Sequence, residues 1–194
     1  LAIASWRSSF CGPLPHQSPR LLIASARAGN VIGGGDWSAD RIVPDAIRAL
    51  TAQAPIGVRN PNSTRPWQHV LEPLGGYLLL AERLTAQGPE LATSFNFGPQ
   101  LEANRSVRDL ANEALCHWPG TWIDNYDPTS PHEAGRLNLV IDKAHHLLGW
   151  APRWSFTTTV GRTVSWYRRV TQGEASAFEC CLDDLAAYCG ETPA

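Results

Sequence analysis

The chain has 194 residues, 43% hydrophobic and 18% charged, with a net charge of −2. That length carries one domain with a real core or one and a half small ones, the composition excludes a disordered chain, and the charge supplies no global field for nucleic acid or a membrane surface. No run is long and apolar enough to span a bilayer, and no signal peptide is visible. Five cysteines, Cys11, Cys116, Cys180, Cys181 and Cys189, form no metal-ligand spacing. An odd number with an adjacent pair is a poor disulfide framework, so a reducing cytoplasmic setting and no metal site are expected. Lys143 is the only lysine; the other basic residues are arginines, which suit fixed contacts to phosphate or carboxylate. There is no methionine and residue 1 is Leu, so a fragment or processed piece of a longer protein is expected.

Residues 1–10 read as the last turns of a helix, and 11–19 as a Pro/Gly loop. The run 20–27, RLLIASAR, fits a buried strand. After the glycines of ARAGNVIGGGDW (26–37), Asp40 is expected to cap a helix over RIVPDAIRALTAQ, with Ile42, Val43, Ala46, Ile47 and Leu50 on one face and Pro44 in the first turn. Residues 55–67 read as a short extended piece and a polar loop. A helix is expected over 71–87, where Leu74, Leu78, Ala81 and Leu84 repeat at helical spacing. A strand at 94–98 and a helix at 107–118 follow. A loop-rich region leads to HEAGRLNLVID (132–142). Helices follow at KAHHLLG, at 155–170 and around 176–189. Alternating strands and helices indicate an α/β protein.

Gly33–Gly35 do not meet the G-x-G-x-x-G spacing of a dinucleotide loop, and no Gly-Lys-Ser/Thr follows; a turn is the simpler reading. The turn nevertheless follows a strand end, where ligands of α/β proteins bind. Asn30 can offer an amide there. RNPNSTRPWQH (59–69) combines arginines, asparagines and an aromatic ring, which suits a nucleotide diphosphate as well as it suits a solvated loop over a buried Trp67. HEAGR lacks the second histidine of a zinc-protease motif. His145 and His146 are helix neighbours that do not share a face. Trp150, Trp154 and Trp166 read as packing residues. No G-x-S-x-G occurs. None of Tyr77, Tyr126, Tyr167 and Tyr188 has lysine four residues later.

Taken together, ARAGNVIGGGDW, DRIVPD, VRNPNSTRPWQHVLEPLGGYLLLAERL, FNFGP, HEA and LGWAPRWSF resemble the CDP-sugar branch of the NAD-dependent epimerase/dehydratases, in the extended short-chain dehydrogenase/reductase family. The resemblance runs from residue 1 to about 172 and weakens beyond. It implies the C-terminal part of a doubly wound Rossmann-like sheet plus a small α/β substrate-binding lobe. Residues 1–37 would be the remnant of the NAD-binding domain, 38–172 mainly the nucleotide-sugar lobe with returning Rossmann elements, and 173–194 a helical tail. It also implies a lyase of polysaccharide biosynthesis that takes CDP-glucose to its 4-keto-6-deoxy product with NAD. The glycine loop and the Tyr-x-x-x-Lys pair of that family are absent here, so this chain alone is expected to be inactive, with no catalytic residue of its own.

By the same resemblance, Asn30, Arg41, Arg59, Asn60, Arg65, Asn96, His132 and Glu133 would bind the substrate, with Arg65 on the diphosphate. Gly29, Asn30 and Val31 would lie near the cofactor. The family pairs as homodimers through the helix that opens this chain, which leaves pairing open here. A non-catalytic nucleotide-sugar module, a gene remnant and a different sugar nucleotide are the alternatives.

Overall fold

A computed structural model describes residues 2–11, 21–126 and 137–190. His132 and Glu133 lie outside the described residues, as does most of the expected loop at 11–19. Helix α1 (Ala2–Phe10) buries none of its residues. Strand β1 (Ser25–Ala28) pairs in parallel with β5 (Ser94–Phe97), Arg27 standing opposite Asn96. Strand β2 (Asn30–Ile32) pairs in parallel with β4 (Thr64–His69), whose other edge pairs antiparallel with β6 (Asn104–Ser106). Strand β3 (Ile56–Val58) pairs in parallel with β7 (Trp122–Asp124). Parallel strands need crossover connections. Helices α2 (Ile42–Thr51), α3 (Leu71–Gln87) and α4 (Val107–His117) lie in the links between paired strands, and α5 (Asp142–Leu148), α6 (Phe156–Thr171) and α7 (Ala177–Gly190) follow.

The sheets are held by three apolar clusters. Ile32, Val43, Ile47, Trp67 and Leu110 meet Val160, Val164 and Trp166 of α6. Phe95 and Phe97 meet Leu80, Leu148 and Trp150. Ile56 and Val58 meet Ala46, Leu50 and Ala111. Each large side chain buried in this way contributes about 1.5–3 kcal/mol. Helix α4 adds a reciprocal cap: the Asp109 backbone N–H donates to Ser106 Oγ at 3.1 Å, and the Ser106 N–H donates to the Asp109 carboxylate at 3.0 Å.

Three local expectations need correction. First, the strand expected over 20–27 begins at Ser25 and is not buried: Ala26 and Arg27, whose side chains point to opposite faces, are both exposed. Second, Asp40 does not cap α2. Its φ is +61°, and its carboxylate accepts from Arg59 instead; Arg41 occupies the cap position without a side-chain bond. Third, residues 64–67 are not loop. They begin β4, where Trp67 is buried and its Nε1 donates to the Arg105 carbonyl at 2.9 Å.

Helix α3 has the expected ends, but its leucine repeat is not its buried face. Glu72, Pro73, Gly76 and Leu80 are buried, while Leu74, Leu78 and Ala81 face solvent and Leu84 is half-buried. Gly76 lies so close to the Phe97 ring that a Cβ would overlap it. Glu72 is drawn inward by hydrogen bonds from the chain before α6. Those two contacts, not the leucine spacing, set the rotation.

Candidate functional site

The ends of β1 and β2 open into a cleft of about 780 Å³. Its walls come from the turn after β2, the start of α2, the loop after β3, and strands β4 and β5. The glycine turn is shaped by contacts behind it. A Cβ on Gly34 would fall within the Trp166 indole, a Cβ on Gly33 would lie 2.9 Å from Val70 Cγ1, and Gly35 has φ +89°. All three glycines are therefore demanded by packing or by backbone angle. The Asp36 carbonyl accepts the Tyr167 hydroxyl at 2.6 Å, which ties the turn to α6. Burial pushes the Tyr167 pKa up to about 12, so this donor keeps its proton at all ordinary pH values.

Gly29, Asn30, Val31, Arg41, Arg59, Asn60, Arg65 and Asn96 all line the cleft. Asn30 opens β2 opposite Trp67 on β4. Gly29 has a packing reason of its own: a Cβ there would lie 3.0 Å from Pro66 Cγ and 3.2 Å from Leu139 Cδ1. Arg65 donates to the Thr64 carbonyl at 2.9 Å and stands opposite Arg105 in the β4–β6 register. Asn96 donates through Nδ2 to the Val140 carbonyl at 3.0 Å, and its buried Oδ1 has no partner among the described residues.

Sequence reasoning passed over the acidic residues of the same cleft. Asp36, Asp40 and Asp45 line it too. Arg41 lies 3.5 Å from Asp36. Arg59 donates to the Asp40 carboxylate and to its carbonyl, each at 3.2 Å. Hydrogen bonds from Ser38, with Arg41 nearby, hold the Asp36 carboxyl below its usual range. The two arginines are about two-thirds exposed, at 66% and 60%. They are thus oriented by aspartates yet remain in water, able to turn to a more highly charged anion. The adjacency of Asp40 and Arg41 and the Asp following the glycines were the available signals, and capping was the wrong use made of the first.

Solved structures of other proteins share this architecture. The chain superposes with a TM-score of 0.67 on the dTDP-glucose 4,6-dehydratase DesIV of Streptomyces venezuelae, solved with NAD and TYD bound, at 19% identity, covering 90% of this chain and 49% of that one. It superposes with a TM-score of 0.68 on a UDP-glucose-4-epimerase of Stenotrophomonas maltophila with bound NAD and formylated UDP-arabinopyranose, at 16% identity, covering 89% and 54%. These likenesses establish the fold. No protein-family model matches the chain.

In sequence the chain is 39% identical, over 99% of its length, to CDP-glucose 4,6-dehydratase of Salmonella typhimurium. It spans 54% of that relative's length, about half.

Proposed function

We propose that this chain is the nucleotide-sugar-binding half of a CDP-glucose 4,6-dehydratase. The observation that carries the reading is convergence: Asn30, Arg41, Arg59, Asn60, Arg65 and Asn96, far apart in sequence, line one cleft. The identity to a CDP-glucose 4,6-dehydratase adds the substrate class. Guanidinium groups match the oxygens of a diphosphate, each charge-assisted bond contributing about 1.5–3 kcal/mol. The amides of Asn30, Asn60 and Asn96 serve the hydroxyls and base edges of a sugar nucleotide. Holding both ends of the substrate orients the sugar ring, which is the contribution of such residues to rate.

The chain's fit to NAD is partial. Gly29, Asn30 and Val31 form a wall beside a strand end, but Gly29 is accounted for by Pro66 and Leu139, and the sequence has no dinucleotide glycine loop. When bound in an intact dehydratase, NAD supplies the oxidation and reduction of the sugar carbons. The residues of this chain would abut it and hold the substrate against it. No tyrosine is followed four residues later by lysine, so the expected behaviour of this chain alone is binding without turnover.

Titration calorimetry with CDP tests the reading, with UDP and dTDP as competitors. Saturable binding, with CDP preferred, is the expected result. Absence of saturable binding to any of the three nucleotides ends it.

A further inference from the structure

Helix α7 is built inside out. Phe178, Leu182 and Leu185 are exposed, while Cys180, Asp184 and Tyr188 face inward. An amphipathic surface helix ordinarily docks by its apolar stripe. This one sets Cys180 into the apolar cluster around α6 and otherwise docks through a carboxylate and a phenol, at two joints.

At the first joint the Tyr188 hydroxyl donates to Glu72 Oε2 at 2.9 Å. Glu72, fully buried, also accepts the backbone N–H groups of Arg153 at 2.9 Å and Trp154 at 2.7 Å. The Arg153 guanidinium donates to the Tyr188 carbonyl at 2.9 Å and lies over its ring. At the second joint Asp184 stands 3.6 Å from Arg162 and 3.8 Å from Nε2 of the buried His69. The His69 ring also lies against Trp154, with centroids 4.7 Å apart. An outer pair, Arg169 and Asp183 at 2.7 Å, ties α7 to α6.

Both joints end at one place in the chain. His69 closes β4 and Glu72 opens α3, and β4 is the strand that carries Arg65 and Trp67 to the cleft. His69 and Val70 also back the glycine turn at Gly33.

We infer that α7 is a clasp: through Asp184 and Tyr188 it fixes the end of β4 and the glycine turn, and so keeps Arg65 and the 33–41 loop aligned for an anionic nucleotide. The inference rests on the proposed reading of the cleft. His69, Glu72, Asp184 and Tyr188 do not line the cleft; they are positioning residues. The segment of weakest family resemblance thereby acquires a task.

The test compares the full chain with Asp184→Ala and Tyr188→Phe, by hydrogen exchange and by CDP titration. Exchange at 33–36 and 64–71 is expected to rise by about tenfold or more while Ile56–Val58 is unchanged, since local joints open sub-globally. The CDP dissociation constant is expected to rise about three- to thirtyfold, the span of coupling between connected sites. A uniform rise across the chain with unchanged affinity makes α7 a general stabiliser and overturns the inference. If Asp184→Ala fails to fold, Tyr188→Phe, which removes one hydroxyl, makes the same comparison. If the unmodified chain binds no CDP, the functional reading fails, while a uniform exchange profile separately fails the clasp.

Discussion

The cleft and the joints under α7 are made from the same kinds of residue and differ in water. In the cleft, Arg41–Asp36 and Arg59–Asp40 sit largely in solvent. Under α7, Glu72, His69 and Asp184 are buried among Trp154, Tyr188 and Arg162. Exposed pairs exchange partners at little cost, which suits ligand capture. Buried ones cannot lose a partner without leaving a polar group unsatisfied, which suits a fixed joint. One consequence is visible at His69. Its Nδ1 accepts the Leu71 N–H at 3.4 Å, and burial together with Arg162 pulls its pKa down to about 4. Its contact with Asp184 is therefore between a carboxylate and a neutral imidazole, not an ion pair at neutral pH.

The largest effect should come from the dry side. Glu72→Ala strips three donors of their acceptor and is expected to cost about 3–5 kcal/mol in a urea melt, as when one partner of a buried polar pair is removed. A cost under about 1 kcal/mol would make the joint no stronger than the cleft pairs.

Next is Arg65, the proposed diphosphate contact on the wet side. Arg65→Ala is expected to weaken CDP binding by about 1.5–3 kcal/mol, roughly ten- to a hundredfold. Unchanged affinity by calorimetry would remove Arg65 from the ligand.

The pH dependence sets His69 against Asp184. Burial raises the Asp184 pKa to about 6 from 3.8. Its contribution to stability is full below 3.8 and is lost as pH rises through 6. The depressed pKa of His69 contributes stability that is full above 6.5 and is lost as pH falls through 4. Between pH 7 and 5 the two slopes oppose one another. Relative to the unmodified chain, His69→Gln should lose about 2 kcal/mol less on acidification from pH 7 to 5, and Asp184→Asn about 1 kcal/mol more. Unfolding curves at the two pH values check both signs, and identical acid sensitivity in all three proteins would contradict the burial of this pair.

The smallest effect belongs to Asp40. Its pair with Arg59 is exposed, so Asp40→Asn should change stability by about 0–1 kcal/mol. Asp40→Gly should be tolerated as well, because glycine accepts the φ of +61°. A thermal melt separates either outcome from a structural role comparable to that of Glu72.

Legibility followed the range of the forces. Helix α4 was readable at 107–118 because a 3.6-residue apolar period acts within a few residues; its Ser106–Asp109 cap, equally local, went unread. Residues 64–67 were misread because a polar sequence becomes strand only when β2 and β6 are present to pair with it. The leucine repeat of α3 does not mark its buried face because its rotation depends on Phe97 and on Arg153–Trp154, well separated from it in sequence. In the cleft, the arginines and asparagines were legible as chemistry. The aspartates that orient Arg41 and Arg59 were not, since sequence does not say which way a carboxylate turns.

The sequence alone determined the α/β alternation, the placement of most helices and which residues carry anion-matching chemistry, because periodicity and side-chain chemistry are properties of short segments. Tertiary structure decided that those residues share one cleft, that Asp40 serves Arg59 instead of a helix end, and that α7 turns its polar face inward. Each of these depends on which groups, distant in the chain, are brought together and shielded from water.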